Sequence, residues 1–108
     1  MDADTVSLQI SHVFGLWVEL KEQAGFKRKP VLTDKRRKII TEMLYKHNYD
    51  DIILVMQYLS SEDKYAVYMR DNKYIELDTE VEDYLTYYYW LVENKKIIIT
   101  KQNRFKYK

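Results

Sequence analysis

Apolar residues recur every three or four positions through residues 5–24, a spacing that predicts an amphipathic helix. Its apolar face comprises Val6, Ile10, Val13, Phe14, Trp17, Leu20 and Ala24. We expect Trp17 to be a core anchor, because large aromatic side chains bury much apolar surface. Gly15 weakens the helix relative to alanine and indicates a close helix contact, whereas Gly25 is well placed to terminate the helix.

A second amphipathic helix is predicted after Pro30, the only proline in the chain. Thr33 or Asp34 can be its N-cap, because either side chain can accept a hydrogen bond from the free N–H groups of the first turn. The apolar face, which must be buried, contains Ile39, Ile40, Met43, Leu44 and His47. The basic residues expected to point mostly away from that face are Lys35, Arg36 and Lys38.

Helix signals continue through the acidic middle of the chain. Asp50 is expected to cap a helix whose apolar stripe is Ile52, Val55, Met56 and Leu59. The polar run at 60–63 indicates a further cap, followed by a short helix over residues 64–71. Residues 74–77 are expected to be extended. Residues 78–80 then open the last helix, whose apolar face consists of Val81, Tyr84, Leu85, Tyr88, Leu91 and Val92.

The last fourteen residues change character. A short β-branched run at 97–100 is followed by basic residues that alternate with Phe105 and Tyr107, a pattern typical of a strand or of an arm that orders on binding. We therefore divide the chain into a helical domain at residues 1–94 and a basic strand or arm at residues 95–108. The predicted fold is all-α, a compact bundle of four or five short helices with a basic, extended C-terminal tail.

Composition narrows the class of protein further. With 108 residues the chain is long enough for one core, and it has no cysteine, which suits a reducing compartment. No apolar run approaches the length of a membrane span, and the acidic opening MDADTVS differs from the basic opening of a signal peptide. We expect a cytoplasmic protein that does not associate with membranes.

The formal net charge of +1 conceals a separation of charge along the chain. Residues 21–46 hold nine Lys or Arg against three Asp or Glu, residues 47–93 hold three against eleven, and residues 94–108 hold six against none. Such asymmetry can produce a local field that attracts phosphate although the total charge is small. The alternative is that basic and acidic blocks neutralise each other within the fold or between subunits.

Catalytic and cofactor motifs are not recognisable in the sequence. A phosphate-binding glycine loop needs several glycines, and the chain has only Gly15 and Gly25. His12 and His47 lack the spacing and the companion ligands of a metal site. The carboxylates at 80, 82 and 83 fit the role of stabilising a helix start. We expect neither an enzyme nor a bound metal or cofactor.

One stretch resembles a known family. Leu32-Thr33, Arg36 and Ile40 follow the Trp17 helix, and Tyr49-Asp50-Asp51 then starts the next helix. This order resembles the C-terminal module of phage and prophage replication proteins of the replisome-organiser or helicase-loader type. The family's closing pattern is matched by Tyr74, Leu77 and residues 81–85, so the resemblance covers about residues 12–86. It implies DNA replication or its control, a replication protein as a partner, and the cytoplasm of a phage host as the location.

Two functional hypotheses follow from these patterns. The first is a phage-type accessory protein that binds nucleic acid, with DNA the expected form, because Lys and Arg neutralise phosphates and release counterions. The residues assigned to phosphates are Lys27, Arg28, Lys29, Lys35, Arg36, Arg37, Lys38, Lys101, Arg104 and Lys106. For Arg36, a structural role in the LT-x-x-R pattern is the alternative.

The second hypothesis is a protein-interaction module, an adaptor or inhibitor of a replication or defence protein. The last helix would be its surface, since tyrosine and tryptophan are enriched at binding hot spots. The same helix could form a homodimer. The residues assigned to a partner are Tyr84, Tyr87, Tyr88, Tyr89 and Trp90.

Overall fold

A computed structural model describes residues 2–102 and 104–108 of the protein. Most of these residues are helical, and the β-structure is limited to a small hairpin, which confirms the predicted all-α bundle. The elements are α1 (Ala3–Gln23), α2 (Asp34–Lys46), α3 (Tyr49–Leu59), α4 (Lys64–Asp71), a π-helical turn (Leu77–Val81), α5 (Glu82–Glu93), β1 (Ile97–Ile99) and β2 (Phe105–Tyr107).

Side-chain caps define where several helices begin. Thr33 caps α2, since its hydroxyl oxygen accepts a hydrogen bond from the Arg36 N–H at 3.2 Å. The predicted cap of α3 is wrong: Asn48 rather than Asp50 is the N-cap, and its side-chain oxygen accepts from the Asp50 N–H at 2.8 Å. The earlier start makes Tyr49 the first helical residue, which packs against the core and hydrogen-bonds to His12 through its hydroxyl.

The core is one cluster to which all five helices described here and both strands contribute. Trp17 belongs to this core with 1% of its surface exposed, as predicted, and its indole N–H donates to the carbonyl oxygen of Ile75 at 2.8 Å. This bond joins α1 to the segment between α4 and α5. The largest fully buried side chains beside Trp17 include Leu20, Ile40, Met43, Ile52, Met56, Leu59 and Leu85.

Gly15 lies within α1 and Gly25 lies just after its C-terminal end, and the two glycines have different surroundings. The close helix contact predicted at Gly15 is wrong: Gly15 is exposed, and a Cβ atom there would meet no atom within 4 Å, because the core face of α1 runs through Val13 and Trp17 instead. Gly25 terminates α1 as predicted. It adopts φ 91°, and the N–H of Phe26 reaches back to the carbonyl oxygen of Lys21 at 3.1 Å.

The segment before α5 differs from the prediction. Leu77, expected to be extended, begins a π-helical turn in which the Val81 N–H donates to the Glu76 carbonyl oxygen at 3.0 Å. Leu77 and Val81, four residues apart at the two ends of this turn, are both buried in the core. The turn runs directly into α5, so one continuous helical segment covers residues 77–93.

The C-terminal residues form an antiparallel hairpin, in which Ile97 pairs with Tyr107 and Ile99 with Phe105. Ile97 and Phe105 are buried against the helices. The Phe105 ring stacks on Tyr58 of α3 at a centroid distance of 4.4 Å, so the hairpin is packed onto the bundle. Within the described residues, no helix combines the length and the apolar character needed to cross a membrane.

Candidate nucleic-acid interface and aromatic surface

The basic segment, residues 27–38, consists of the loop between α1 and α2 and the first turns of α2. Its exposed cations are Lys27, Arg28, Lys29, Lys35, Arg37 and Lys38. Successive residues of a helix are rotated by about 100°. Lys38 therefore points away from Ile40 and the core, while Lys35 and Arg37 lie on opposite flanks of α2. The cations surround the outer half of the helix start instead of forming a single stripe.

Arg36 has surroundings unlike those of its neighbours. Its guanidinium donates to the carbonyl oxygen of Val31 at 2.8 Å and lies 5.2 Å from the centre of the Trp17 ring. The side chain is only partly exposed, so the expectation that it points away from the core is wrong. Arg36 holds the loop against α1, which matches the structural alternative for the LT-x-x-R pattern.

The basic segment is only partly neutralised by nearby acids. Among the described residues, ion pairs join Lys21 to Glu76, His47 to Glu82 and Arg70 to Glu62, and the exposed cations of the basic segment take part in none of them. Lys35 does line a groove together with Glu76 and Asp78. Lys27, Arg28 and Lys29 line a separate groove in which Glu22 is the one acid among the described lining residues, and Arg37 and Lys38 line neither groove.

Aromatic and cationic groups fix the base of the loop. The ammonium groups of Lys21 and Lys73 lie 3.6 Å and 4.5 Å from the centre of the Phe26 ring. The Lys73 ammonium also donates to the Ala24 carbonyl oxygen at 3.1 Å. These contacts leave the loop beyond Phe26 exposed, where Lys27, Arg28 and Lys29 border a groove of 340 Å³.

The tail cations Lys101, Arg104 and Lys106 are also exposed. They lie on and around the hairpin, whose turn is closed by the Thr100 N–H donating to the Arg104 carbonyl oxygen at 2.6 Å. The hairpin packs on α3 and α5, whereas α2 packs on α1 and the π-helical turn. The two groups of basic residues are therefore attached to different helices.

The aromatic residues predicted to face a partner divide into two groups. Tyr84 and Tyr88 are 3% and 4% exposed, so their assignment to a partner surface is corrected: they belong to the core. They share the inward face of α5 with Leu85 and Leu91. Tyr87, Tyr89 and Trp90 are exposed and form what we call the aromatic surface.

The buried tyrosines form a hydrogen-bonded cluster beneath the hairpin. The Tyr84 and Tyr107 hydroxyls lie 2.6 Å apart, and the Tyr58 hydroxyl donates to the Asp63 carboxylate at 2.5 Å. Burial raises the pKa of Tyr84 and of Tyr58 well above the ordinary tyrosine value, because ionisation would place a charge in an apolar site. Burial and the Asp51 carboxylate raise the pKa of Tyr88 to about 12.

Within the aromatic surface, Tyr87 and Trp90 stack with their ring centres 5.8 Å apart and their planes at 9°. Tyr89 instead stacks on His47, and its hydroxyl lies 3.1 Å from the His47 Nδ1. The other ring nitrogen of His47 lies 3.0 Å from a Glu82 oxygen, which ties the end of α2 to α5. Tyr87 and Trp90 are therefore the more accessible part of the surface.

Sequence reasoning missed a group of residues on α4, the following turn and α5. Tyr65 and Tyr74 are exposed close to Glu80, Asp83 and Tyr87. The sequence contained part of the pattern needed to predict this group, because positions 80, 83 and 87 share one helix face. Tyr65 and Tyr74 come from outside that helix and required the fold to place them. In the described part of the chain, no three His, Asp or Glu residues are grouped so as to hold a metal ion.

The class of protein that this fold and these surfaces define is a small helical bundle with an exposed basic segment and a separate aromatic surface. No protein-family model matches the chain, and no curated protein and no solved structure matches it.

Proposed function

We propose that this protein binds nucleic acid, DNA in the first instance, through the basic segment. The supporting observation is the group of exposed cations on the loop and the start of α2 that have no ion-pair partner among the described residues. Unpaired Lys and Arg side chains are free to contact phosphates, and each contact releases condensed counterions from the nucleic acid. The tail cations on the hairpin extend the same chemistry.

The proposed binding is expected to be largely independent of base sequence. Phosphate contacts position a protein on a duplex but carry no sequence information themselves. Exposed aromatic rings such as Trp90 offer a stacking surface for unpaired bases, which would favour single strands. A comparison of single-stranded and double-stranded DNA therefore separates electrostatic binding from binding that includes stacking.

We place this activity in the replication of a phage or mobile element, or in its control. The resemblance of residues 12–86 to phage replication modules supports this setting and a replication protein as a partner. The roles of Thr33 as a helix cap and of Arg36 beside Trp17 give the LT-x-x-R motif of this chain a structural explanation. The motif would thus maintain the fold, while the neighbouring exposed cations would carry the contact to nucleic acid.

The test is fluorescence anisotropy with labelled single-stranded and double-stranded DNA at low and at physiological salt. We expect binding that weakens steeply as salt rises. Reversing charge in Arg37→Glu/Lys38→Glu should weaken binding to every sequence and reduce the slope of log affinity against log salt by about 2. The control is Lys46→Glu/Lys64→Glu, which makes the same charge change at two exposed positions outside the basic segment.

Either of two results would contradict the proposal. If the protein bound neither form of DNA at low salt, the proposal would be ruled out. Equal weakening in the control variant would assign the effect to net charge and not to the basic segment.

A second candidate function, a protein-interaction module, is supported by the aromatic surface. Tyr87 and Trp90 are 43% and 48% exposed and already stacked on each other, so a partner could cover them at little cost in side-chain entropy. An adaptor or inhibitor of a replication or defence protein, or a homodimer, would use such a surface.

This candidate is tested by affinity capture from the cells that produce the protein, with sedimentation to detect self-association. Tyr87→Ala/Trp90→Ala should lose a specific partner or the dimer while keeping the helical circular dichroism spectrum. Tyr45→Ala, at a tyrosine of α2 that is 86% exposed, is the matched control. Equal losses in both variants would contradict a specific aromatic surface.

A further inference from the structure

A groove of 340 Å³ lies between α4, the following turn and the start of α5. Half-exposed tyrosine rings form its walls: Tyr65 from α4, Tyr74 from the turn and Tyr87 from α5. The buried Tyr84 lies at its base, with its ring centre 5.5 Å from that of Tyr65 and 5.8 Å from that of Tyr87. We call this feature the α4–α5 groove.

Two carboxylates also line the groove, Glu80 from the π-helical turn and Asp83 from α5. Positions 80, 83, 84 and 87 follow the spacing that places side chains on one side of a helix, so both carboxylates lie beside the rings of Tyr84 and Tyr87. The groove therefore combines negative charge with the negative faces of aromatic rings.

Cations within the described residues do not neutralise these carboxylates. Glu80 and Asp83 are absent from every ion pair that the described residues form. Arg70 lies in the chain between the lining residues Tyr65 and Tyr74, but its guanidinium donates to the carbonyl oxygens of Leu59 and Ser61 at 2.5 and 2.6 Å. The Lys73 ammonium donates to the carbonyl oxygen of Ala24, and Lys73 is not among the residues that line the groove.

This chemistry selects a cation. A guanidinium can stack on tyrosine faces while it donates hydrogen bonds to a carboxylate, and both interactions strengthen as the site is covered. Phosphate would be repelled by Glu80 and Asp83. We infer that the α4–α5 groove docks an arginine-bearing basic segment of a partner protein.

This inference rests on the second candidate function, because it names the chemistry of a partner. The two can fail separately. Trp90 and Tyr89 lie outside the groove lining, whereas Glu80 and Asp83 belong to the groove and not to the aromatic surface. A partner that is lost on Trp90→Ala but retained on Glu80→Gln/Asp83→Gln would support the candidate function and contradict docking in the groove.

The direct test uses a fluorescein-labelled oligo-arginine peptide and the purified full chain at low salt, with anisotropy as the readout. We expect saturable one-to-one binding that Glu80→Gln/Asp83→Gln weakens about tenfold. Tyr87→Ala should weaken it as well, whereas Tyr87→Phe should retain it, because phenylalanine preserves the ring face. An oligo-glutamate peptide of equal length should not bind.

The matched control is Glu19→Gln/Glu22→Gln, which removes the same charge from two exposed positions of α1. Equal weakening in this control, or binding that is indifferent to the ring at position 87, would overturn the inference by showing attraction to net charge alone. Wild-type self-association that disappears in Glu80→Gln/Asp83→Gln would overturn the assignment to a foreign partner, since the basic segment of a second copy would then be the occupant. Circular dichroism of each variant verifies that the fold is retained.

Discussion

Arg36 and Arg37 are adjacent in the sequence and have the same side chain, yet they meet different environments in the fold. Arg36 reaches the Val31 carbonyl oxygen and the face of Trp17, while Arg37 is exposed on the flank of α2. The sequence pattern alone does not distinguish the two residues, because both belong to one basic run. Helical rotation and the position of α1 separate them, which makes one a candidate structural residue and the other a candidate phosphate ligand.

We therefore predict that alanine destabilises the protein at position 36 and has little effect at position 37. Arg36→Ala should lower the free energy of unfolding by about 1 to 2 kcal/mol, because it removes a charge-assisted hydrogen bond and a cation–π contact. Arg37→Ala should change it by less than about 0.5 kcal/mol, as is usual for exposed positions. Urea denaturation of the two variants measures both values, and equal losses would contradict the assignment.

The buried tyrosines predict a loss of stability in alkali. In the unfolded chain each tyrosine ionises near its ordinary pKa of 10.0, but burial keeps the folded pKa of Tyr58 and Tyr84 far higher and that of Tyr88 at about 12. The folded state then holds more protons than the unfolded state above pH 10, so stability falls as pH rises. The expected slope is about 1.4 kcal/mol per pH unit for each tyrosine that stays protonated.

Urea denaturation at several pH values from neutral to strongly alkaline tests this expectation. Below pH 9 the ionisation of these tyrosines should not affect stability. Above pH 10 stability should fall less steeply with pH in Tyr88→Phe, because phenylalanine cannot ionise. An unchanged slope in that variant would show that the Tyr88 hydroxyl titrates normally in the folded protein.

At the scale of elements, the helices follow from local pattern and the hairpin follows from packing. Three- and four-residue spacing is visible in the sequence because it needs only neighbours within one helix. The strands are short, at three residues each, and gain their stability from Phe105 and Ile97 against the bundle. The sequence alone therefore could not decide whether residues 95–108 form a strand or an arm.

The contribution of the hairpin can be measured at Phe105. Its ring contacts Tyr58 of α3 and Tyr88 of α5, so Phe105→Ala should lower the free energy of unfolding by about 3 kcal/mol or more. Lys106→Ala, at the exposed position next to it, is the control and should have little effect. Comparable small losses in both variants, measured by chemical denaturation, would mean that the hairpin is not part of the folded core.

At the scale of the whole molecule, a single core predicts a single unfolding transition. Buried side chains from every described helix and strand belong to one cluster, which includes Trp17. Tryptophan fluorescence in a Trp90→Phe variant, which reports Trp17 alone, should therefore coincide with far-ultraviolet circular dichroism during urea unfolding. Two separated transitions would show that part of the chain unfolds independently of the core.

The charge separation seen along the chain also takes a spatial form. The basic loop and the start of α2 lie against α1, and the acidic residues of the middle region include the two that line the α4–α5 groove. In our two proposals, the first surface binds phosphates and the second binds a cationic segment of a partner. A net charge near zero is compatible with both, because local fields depend on where the charges lie.

The sequence by itself determined the helical class, the core role of Trp17, the termination of α1 at Gly25 and the presence of a basic run, because each depends on residues a few positions apart. The tertiary structure alone decided that Arg36 lies over Trp17 and that Tyr65 and Tyr74 line one groove with Glu80 and Asp83. Those outcomes require contacts between residues far apart in the chain. Short-range periodicity carries no information on which helix will cover a given face, so packing had to supply it.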